Sequence, residues 1–168
     1  MLKKETRVLG LSGTTIGQKT IIASVVFRGS LWLDGVATTM IEAKERNYNA
    51  QLSNFIKNSK QFSQLHAVII SPRLNPKPTS IRDLARRLKL PVIAITQSRR
   101  KAKRGDKHLE RIAITINGEH VAATTAGVDR EQAERLYVIS CGTLRHVKVP
   151  EAVRIADLLT EKFNTTFG

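Results

Sequence analysis

Cysteine, aromatic residues and long apolar runs are all scarce in this chain of 168 residues. A single cysteine, Cys141, excludes an intrachain disulfide, and its apolar neighbours Val138 and Ile139 indicate a core thiol. Aromatic residues are only 5% of the sequence, so the core must be mainly aliphatic. No apolar run approaches the roughly 18 residues of a membrane span, and the N-terminus lacks a signal-peptide pattern. These absences predict an intracellular, cytoplasmic protein with no membrane partner.

Acidic residues are also scarce relative to basic ones. The chain has 28 lysines and arginines against 14 aspartates and glutamates, a formal net charge of +14. Such an excess points to a polyanionic partner, either nucleic acid or an anionic membrane surface. A halophilic or thermophilic surface explains it less well, because halophiles are acidic and thermophiles mix both signs. A protein-binding module charged only for solubility is a further alternative, against which the clustering of the basic residues argues.

Histidine spacing gives no support to a zinc site. The four histidines lie far apart, and with one cysteine they form no zinc-ligand pattern. The sequence therefore predicts neither a structural metal nor a cofactor.

The first forty residues read as three strands with short connections. Arg7–Leu11, Thr20–Arg28 and Leu31–Met40 are rich in apolar and β-branched residues. The turn Arg28-Gly29-Ser30 joins the last two as a hairpin. This order predicts an antiparallel meander at the start of the chain.

The middle of the chain alternates helices and strands. Leu52, Phe55 and Ile56 give residues Asn49–Asn58 a helical face. A strand follows at Ala67–Ile70, and then a helix from Thr79 or Ser80 to Leu88. Because another short apolar strand follows at Val92–Thr96, the pattern predicts parallel pairing with a crossover helix.

The last third begins with a hairpin and ends with helices. Asn117-Gly118 is a strong two-residue turn signal between the strands Arg111–Asn117 and Glu119–Ala123. A helix starts at Asp129 or Gly127 and runs to about Ile139, and Pro150 opens a final helix to about Phe163. With no repeat and no clear linker, we expect residues 1–168 to form one α/β domain with a mixed sheet.

Six segments, in order along nearly the whole chain, carry a resemblance to a protein family. They are Arg7-Val-Leu-Gly-Leu11, Val25-Val-Phe-Arg-Gly29, Trp32-Leu-Asp-Gly-Val36, Leu90-Pro-Val-Ile-Ala94, Ala126-Gly-Val-Asp-Arg-Glu-Gln-Ala133 and Val149-Pro-Glu-Ala-Val-Arg-Ile-Ala156. The chain resembles an archaeal family of uncharacterised proteins related to endonuclease V. The resemblance implies a ribonuclease H-like fold, with three antiparallel strands followed by parallel strands and flanking helices. It also implies a nuclease ancestry in which carboxylates hold a divalent metal.

The chain departs from the enzyme pattern at three positions. The first-strand aspartate of that pattern falls on Ser12, the aspartate that ends the central strand falls on Ser71, and a lysine falls on Gln97. A hydroxyl lacks the negative charge that offsets dehydration of a hard divalent cation. The resemblance, read with these departures, predicts a protein without catalytic residues and without a bound metal.

A rearranged metal centre is the alternative. Asp34, Glu42 and Asp83 are acids from which a metal-dependent endonuclease could be built. Two-metal hydrolysis needs carboxylates that converge on ions roughly 3.5–4 Å apart, and the predicted elements bring no three of them together.

Basic residues cluster in two segments around the strand at Val92–Thr96. The candidate phosphate contacts are Arg73, Lys77, Arg82, Arg86, Arg87, Arg99, Arg100, Lys101, Lys103, Arg104 and Lys107. Side chains that repel each other become favourable when phosphates neutralise them and counterions are released. A solvated loop without a bound partner is the alternative interpretation of the second segment, Arg99–Lys107.

Few aromatic residues are available for base stacking, which favours structured RNA over single strands, while the choice between RNA and DNA stays open. We therefore expect a partner within a ribonucleoprotein, with ribosomal RNA and neighbouring ribosomal proteins as one setting.

Overall fold

The computed structural model describes residues 5–74, 80–96, 109–142 and 148–167. These residues form a seven-stranded sheet with the order β3-β2-β1-β4-β5-β7-β6. The strands are β1 Arg7–Ile16, β2 Lys19–Arg28, β3 Trp32–Glu42, β4 Leu65–Ile70, β5 Val92–Ile95, β6 Glu110–Ile116 and β7 Glu119–Ala126. The helices are α1 Tyr48–Lys57, α2 Ile81–Leu88, α3 Arg130–Ser140 and α4 Glu151–Phe167.

Strand directions agree with the predicted mixed sheet. β1, β2 and β3 are antiparallel, whereas β1, β4 and β5 run parallel to one another. β7 is antiparallel to both β5 and β6. The predicted meander and the predicted crossover from β4 through α2 to β5 are therefore confirmed.

Helices cover both faces of the sheet. On one face, α1 and α2 place Leu52, Ile56, Leu84 and Leu88 against residues of the central strands. On the other face, α3 and α4 pack on the opposite side chains of the same strands, with Val153 fully buried. Because both faces are covered, β4 and β5 are nearly continuous apolar runs, as parallel strands usually are.

Capping and turn residues in the sequence correctly predict where several helices and strands begin or end. The Ser80 hydroxyl accepts a hydrogen bond from the Asp83 N–H at 3.4 Å and caps α2. The Asp129 carboxylate accepts from the Gln132 N–H at 2.8 Å and caps α3. Asn117 and Gly118 both have positive φ, as the predicted tight hairpin turn requires.

Three predicted ends fall short by three or more residues. β7, predicted to end at Ala123, continues to Ala126. β1 continues past Leu11 to Ile16, because Thr14, Thr15 and Ile16 pair with the start of β2 in a second hairpin. The final helix continues past Phe163 to Phe167, and the rings of these two phenylalanines stack with their centroids 6.4 Å apart.

Gly10 sets how closely α4 approaches the sheet. A Cβ atom at this position would lie 2.4 Å from the Ala152 carbonyl carbon and 2.5 Å from the Val153 nitrogen. Those atoms are backbone and cannot rotate away. The first turn of α4 can therefore rest on β1 only because residue 10 has no side chain.

We predict that Gly10→Ala lowers the free energy of unfolding by about 3 kcal/mol, at the upper end of the usual cost of overpacking. Chemical denaturation followed by circular dichroism measures the change. Gly142→Ala is the matched control, because its Cβ would meet only the end of the Glu151 side chain, at 3.2 Å. Equal losses in both variants would contradict the close approach of α4.

Candidate functional site

Ser12 and Ser71 lie side by side on neighbouring parallel strands. Leu11 and Ile70 are register partners, and the Ser71 N–H donates to the Leu11 carbonyl oxygen at 2.8 Å. Both serine side chains are buried. The structure therefore brings together two of the three positions that the resemblance singled out.

Asp157 of α4 joins the two serines. The hydroxyl of Ser12 donates to Asp157 Oδ1 at 2.5 Å, and the hydroxyl of Ser71 donates to the same oxygen at 2.6 Å. The Thr160 hydroxyl lies 3.1 Å from the Ser12 hydroxyl and donates to the Asp157 carbonyl oxygen at 3.0 Å. We call Ser12, Ser71, Asp157 and Thr160 the serine–aspartate cluster.

Sequence reasoning missed Asp157. The available signal was its position beside the buried face of α4, since Val153, Ala156 and Thr160 are all buried while Asp157 is half-buried. A carboxylate beside such a face needs hydrogen-bond donors. Nothing in the sequence indicated which strands would supply them.

The ligand chemistry of this cluster does not fit a divalent metal. It contains one carboxylate, and Oδ1 of that carboxylate already accepts two hydrogen bonds. Hard divalent cations favour several charged or carbonyl oxygens. Within the described ranges, no three histidine, cysteine, aspartate or glutamate side chains lie close enough to hold a metal ion.

The acids of the alternative centre lie apart from this cluster and from one another. Asp34 and Glu42 are near opposite ends of β3, roughly 25 Å apart at the usual rise per strand residue. Asp34 is bound by Arg7 at 2.6 Å and Arg28 at 3.0 Å. Burial works to raise the pKa of Asp34, but the hydrogen bonds from both arginines outweigh it and hold that pKa below its usual value.

Asp83 is engaged by basic neighbours on its own helix. Arg87 and Arg86 bind its two oxygens at 2.7 and 2.6 Å, and these hydrogen bonds lower the pKa of Asp83 to about 2. Arg82, Arg86 and Arg87 are exposed, as the predicted phosphate contacts require. Arg82 and Arg86 also line a surface groove of about 380 Å³ together with Lys89.

Arg73 connects the basic segment to the serine–aspartate cluster. Its backbone N–H donates to the Ser71 hydroxyl oxygen at 3.1 Å. Its guanidinium lies 3.7 Å from Glu161 Oε2, one turn after Asp157 on α4. This exposed cation therefore stands beside the two serines.

Several predicted site residues lie outside the described residues. They are Lys77, Gln97, Arg99, Arg100, Lys101, Lys103, Arg104 and Lys107.

Two predictions from residue scarcity can be compared with the structure. Cys141 is buried in the core, and burial raises the pKa of its thiol to about 12, which confirms the predicted core cysteine. Within the described ranges, no helix has the length and apolar character to cross a membrane.

We predict that Asp157→Ala lowers the free energy of unfolding by about 2–3 kcal/mol, because it leaves buried hydroxyls without their acceptor. Denaturant unfolding measures the loss. Glu161→Ala, on the same helix, should cost no more than about 0.5 kcal/mol, since its ion pair is exposed.

The triple variant Ser12→Ala, Ser71→Ala, Asp157→Ala should lose less stability than Asp157→Ala alone, because it also removes the two buried hydroxyls that Asp157→Ala leaves without an acceptor. A triple variant as unstable as the sum of its parts would contradict the shared-acceptor arrangement.

Sequence comparison relates the chain to archaeal proteins of unassigned activity. No protein-family model matches it. The chain is 26% identical to a UPF0215 protein of Methanosarcina acetivorans, over 94% of this chain and 90% of that protein. It is 25% identical to a UPF0215 protein of Methanothermobacter thermautotrophicus, over 94% and 87% of the two chains. UPF0215 proteins of archaea are therefore homologues of this chain.

Solved structures agree on the fold. A protein of unknown function from Archaeoglobus fulgidus has a TM-score of 0.72 and 21% identity, with 94% of this chain and 98% of that chain covered. Endonuclease V of Bacillus subtilis has a TM-score of 0.65 and 13% identity, covering 96% and 81%. Marinitoga piezophila Argonaute, in complex with a guide RNA, has a TM-score of 0.58 and 10% identity, covering 95% and 30%. These likenesses confirm the predicted ribonuclease H-like fold class.

Proposed function

We propose that this protein is a non-catalytic, endonuclease V-like domain that binds structured nucleic acid, with RNA as the ligand. The serine–aspartate cluster is the observation that carries the first half of this proposal. At the strand positions where the resemblance implies metal-binding aspartates, Ser12 and Ser71 donate to one shared carboxylate oxygen. A cluster with one carboxylate has too little negative charge for a two-metal hydrolytic centre.

Retained affinity for nucleic acid is supported by charge and its placement. The chain has a net charge of +14, and four exposed arginines (Arg73, Arg82, Arg86 and Arg87) lie on the segment that follows β4. Arg73 is beside the serine–aspartate cluster. A polyanion that passes the serine–aspartate cluster would therefore meet the Arg73 cation, and the arginines of α2 extend the basic surface along that helix.

Structured RNA is the proposed ligand because the described surface offers few aromatic platforms. The two tyrosines are buried, Trp32 is at the far edge of the sheet from α2, and the exposed Phe167 is at the end of α4. Contacts to phosphates and to helix shape suit folded RNA under those conditions. A cytoplasmic ribonucleoprotein, ribosomal particles included, is the setting that we propose.

We predict strongly salt-dependent binding to a folded RNA. Each phosphate contact contributes about −0.9 to the slope of log affinity against log salt, a value for duplex DNA applied here to helical RNA. Replacing Arg99, Arg100, Lys101, Lys103 and Arg104 with glutamine should flatten the slope by roughly three to four units, if about four of them touch phosphate. Fluorescence anisotropy over a salt series measures both slopes.

A matched pair of variants tests the part of the surface on α2. Arg82→Gln/Arg86→Gln should weaken binding about equally for unrelated folded RNAs, because phosphates carry no base identity. Arg130→Gln/Arg135→Gln removes the same charge from α3, where both arginines are exposed and paired with glutamates of their own helix. Equal effects of the two pairs would show that net charge, not this surface, drives binding, and no binding at low salt would refute the proposed function.

A further inference from the structure

The sheet ends at β3 in a strand that is exposed over most of its length. β3 is one of the two outer strands, and Ile41 is its only buried residue. Eight large hydrophobic side chains are exposed in the described part of the chain, and five of them are in or just before β3: Leu31, Trp32, Leu33, Val36 and Met40. Outer strands in natural proteins are usually shielded by charge, by proline or by a covering element, because their free backbone groups can pair with another strand.

The register shows that three of these side chains share one face. Leu33, Val36 and Met40 are opposite Phe27, Val25 and Ile21 of β2. Val25 and Phe27 pack on α4, so the three β3 side chains project on the α4 side. There they continue into a groove of about 530 Å³, which is lined by Met40, Ile21 and the stacked rings of Phe163 and Phe167.

The charge of this strip argues against nucleic acid as its partner, although nucleic acid suits the basic surface on α2. β3 contains no lysine or arginine, although the chain has 28 of them. Lys19 borders the groove, and its register partner is Glu42. Apart from Lys19 at its end, this apolar strip offers no cation to a phosphate backbone. The occupant must instead supply apolar side chains and an extended backbone.

A second copy of the chain matches both requirements and the charges at the ends of the strand. Glu42 is exposed, and no ion pair to it is present among the described residues. At the other end, Arg7 and Arg28 share the single carboxylate of Asp34, which leaves that group with a net charge of +1. Antiparallel pairing of two β3 strands that places Val36 opposite Met40 also places each Glu42 opposite Asp34 of the other copy, where Arg7 and Arg28 give the three-residue group its net positive charge.

We propose that two copies of this protein associate by antiparallel pairing of β3 with β3, across a two-fold axis near Thr38. The pairing joins the two sheets into one continuous sheet. Val36 of each copy then lies opposite Met40 of the other, and the two apolar strips on the α4 side merge. A two-fold axis gives each copy the same environment, as closed dimers require.

Because of the net charge, the salt dependence of this association is opposite to that of nucleic-acid binding. Two molecules of charge +14 repel each other at long range, and salt screens that repulsion. Added salt should therefore strengthen the dimer, whereas it weakens binding to RNA. The two interactions can be separated on the same sample.

Sedimentation equilibrium of the full chain at low and high salt is the test. We expect a monomer–dimer equilibrium that shifts toward dimer as salt rises. Val36→Lys/Met40→Lys should raise the dimer dissociation constant at least about tenfold, because like charges then meet across the pairing. Val138→Lys is the control: Val138 is also half exposed, but it lies on α3, and this change should leave the constant unaltered. Circular dichroism establishes that each variant is folded.

Disulfide trapping tests the axis. Thr38→Cys should form a covalent dimer under mild oxidation, since residues at a two-fold axis are directly opposite their own copies. Because Cys141 is buried, the wild-type chain should not crosslink and is the negative control. Val138→Cys, which places a cysteine on α3, should also remain uncrosslinked. A wild type that stays monomeric at high salt, or a dimer that the β3 lysines leave intact, would overturn the proposal. A dimer that Thr38→Cys does not trap would overturn the proposed register.

Discussion

Two hydroxyls that share one carboxylate oxygen fix the relation between the central strands and the last helix. Ser12 and Ser71 come from neighbouring parallel strands, and Asp157 comes from α4. Ser12 and Asp157 are 145 residues apart in the sequence, so their hydrogen bond holds the last helix against the first strand. Since both serines are buried, each needs this acceptor. The cluster thus serves stability at the two strand positions where the resemblance implies metal-binding aspartates.

That contact depends in turn on the absence of a side chain at Gly10. Only a glycine lets the backbone of Ala152 and Val153 come so close to β1. Asp157 lies one turn after Val153 on α4, and it reaches the serines because the start of the helix is in contact with the sheet. Packing and polar pairing therefore act at the same contact between α4 and β1.

Charge is distributed unevenly over this framework. Arg73 follows the end of β4 and three further exposed arginines are on α2, while β3 at one edge of the sheet has no cation. We propose that the first surface meets a polyanion and that the second meets another copy of the chain. The two surfaces are separate because clustered cations bind phosphate but would repel each other across a pairing of two β3 strands.

The sequence predicted the elements better than the site. Strands such as β2 and β5, and caps such as Ser80 and Asp129, follow from local chemistry over a few residues. The predicted end of β1 was wrong because the strand is extended by hydrogen bonding to Lys19 and Thr20 of β2. The composition of residues 12–16 does not indicate that pairing. Asp157 could not be predicted as a partner of Ser12 and Ser71, since only the packing of α4 on β1 brings them together.

A titration with Mn²⁺, followed by the loss of the free-ion paramagnetic resonance signal, measures whether the serine–aspartate cluster binds a divalent metal. We expect no saturable site in the wild-type protein below about 1 mM, and a gained site in a folded Ser12→Asp/Ser71→Asp variant, where three carboxylates would surround the position. Saturable binding by the wild type that Asp157→Asn abolishes would contradict the account, and so would a folded double variant that binds no more metal than the wild type.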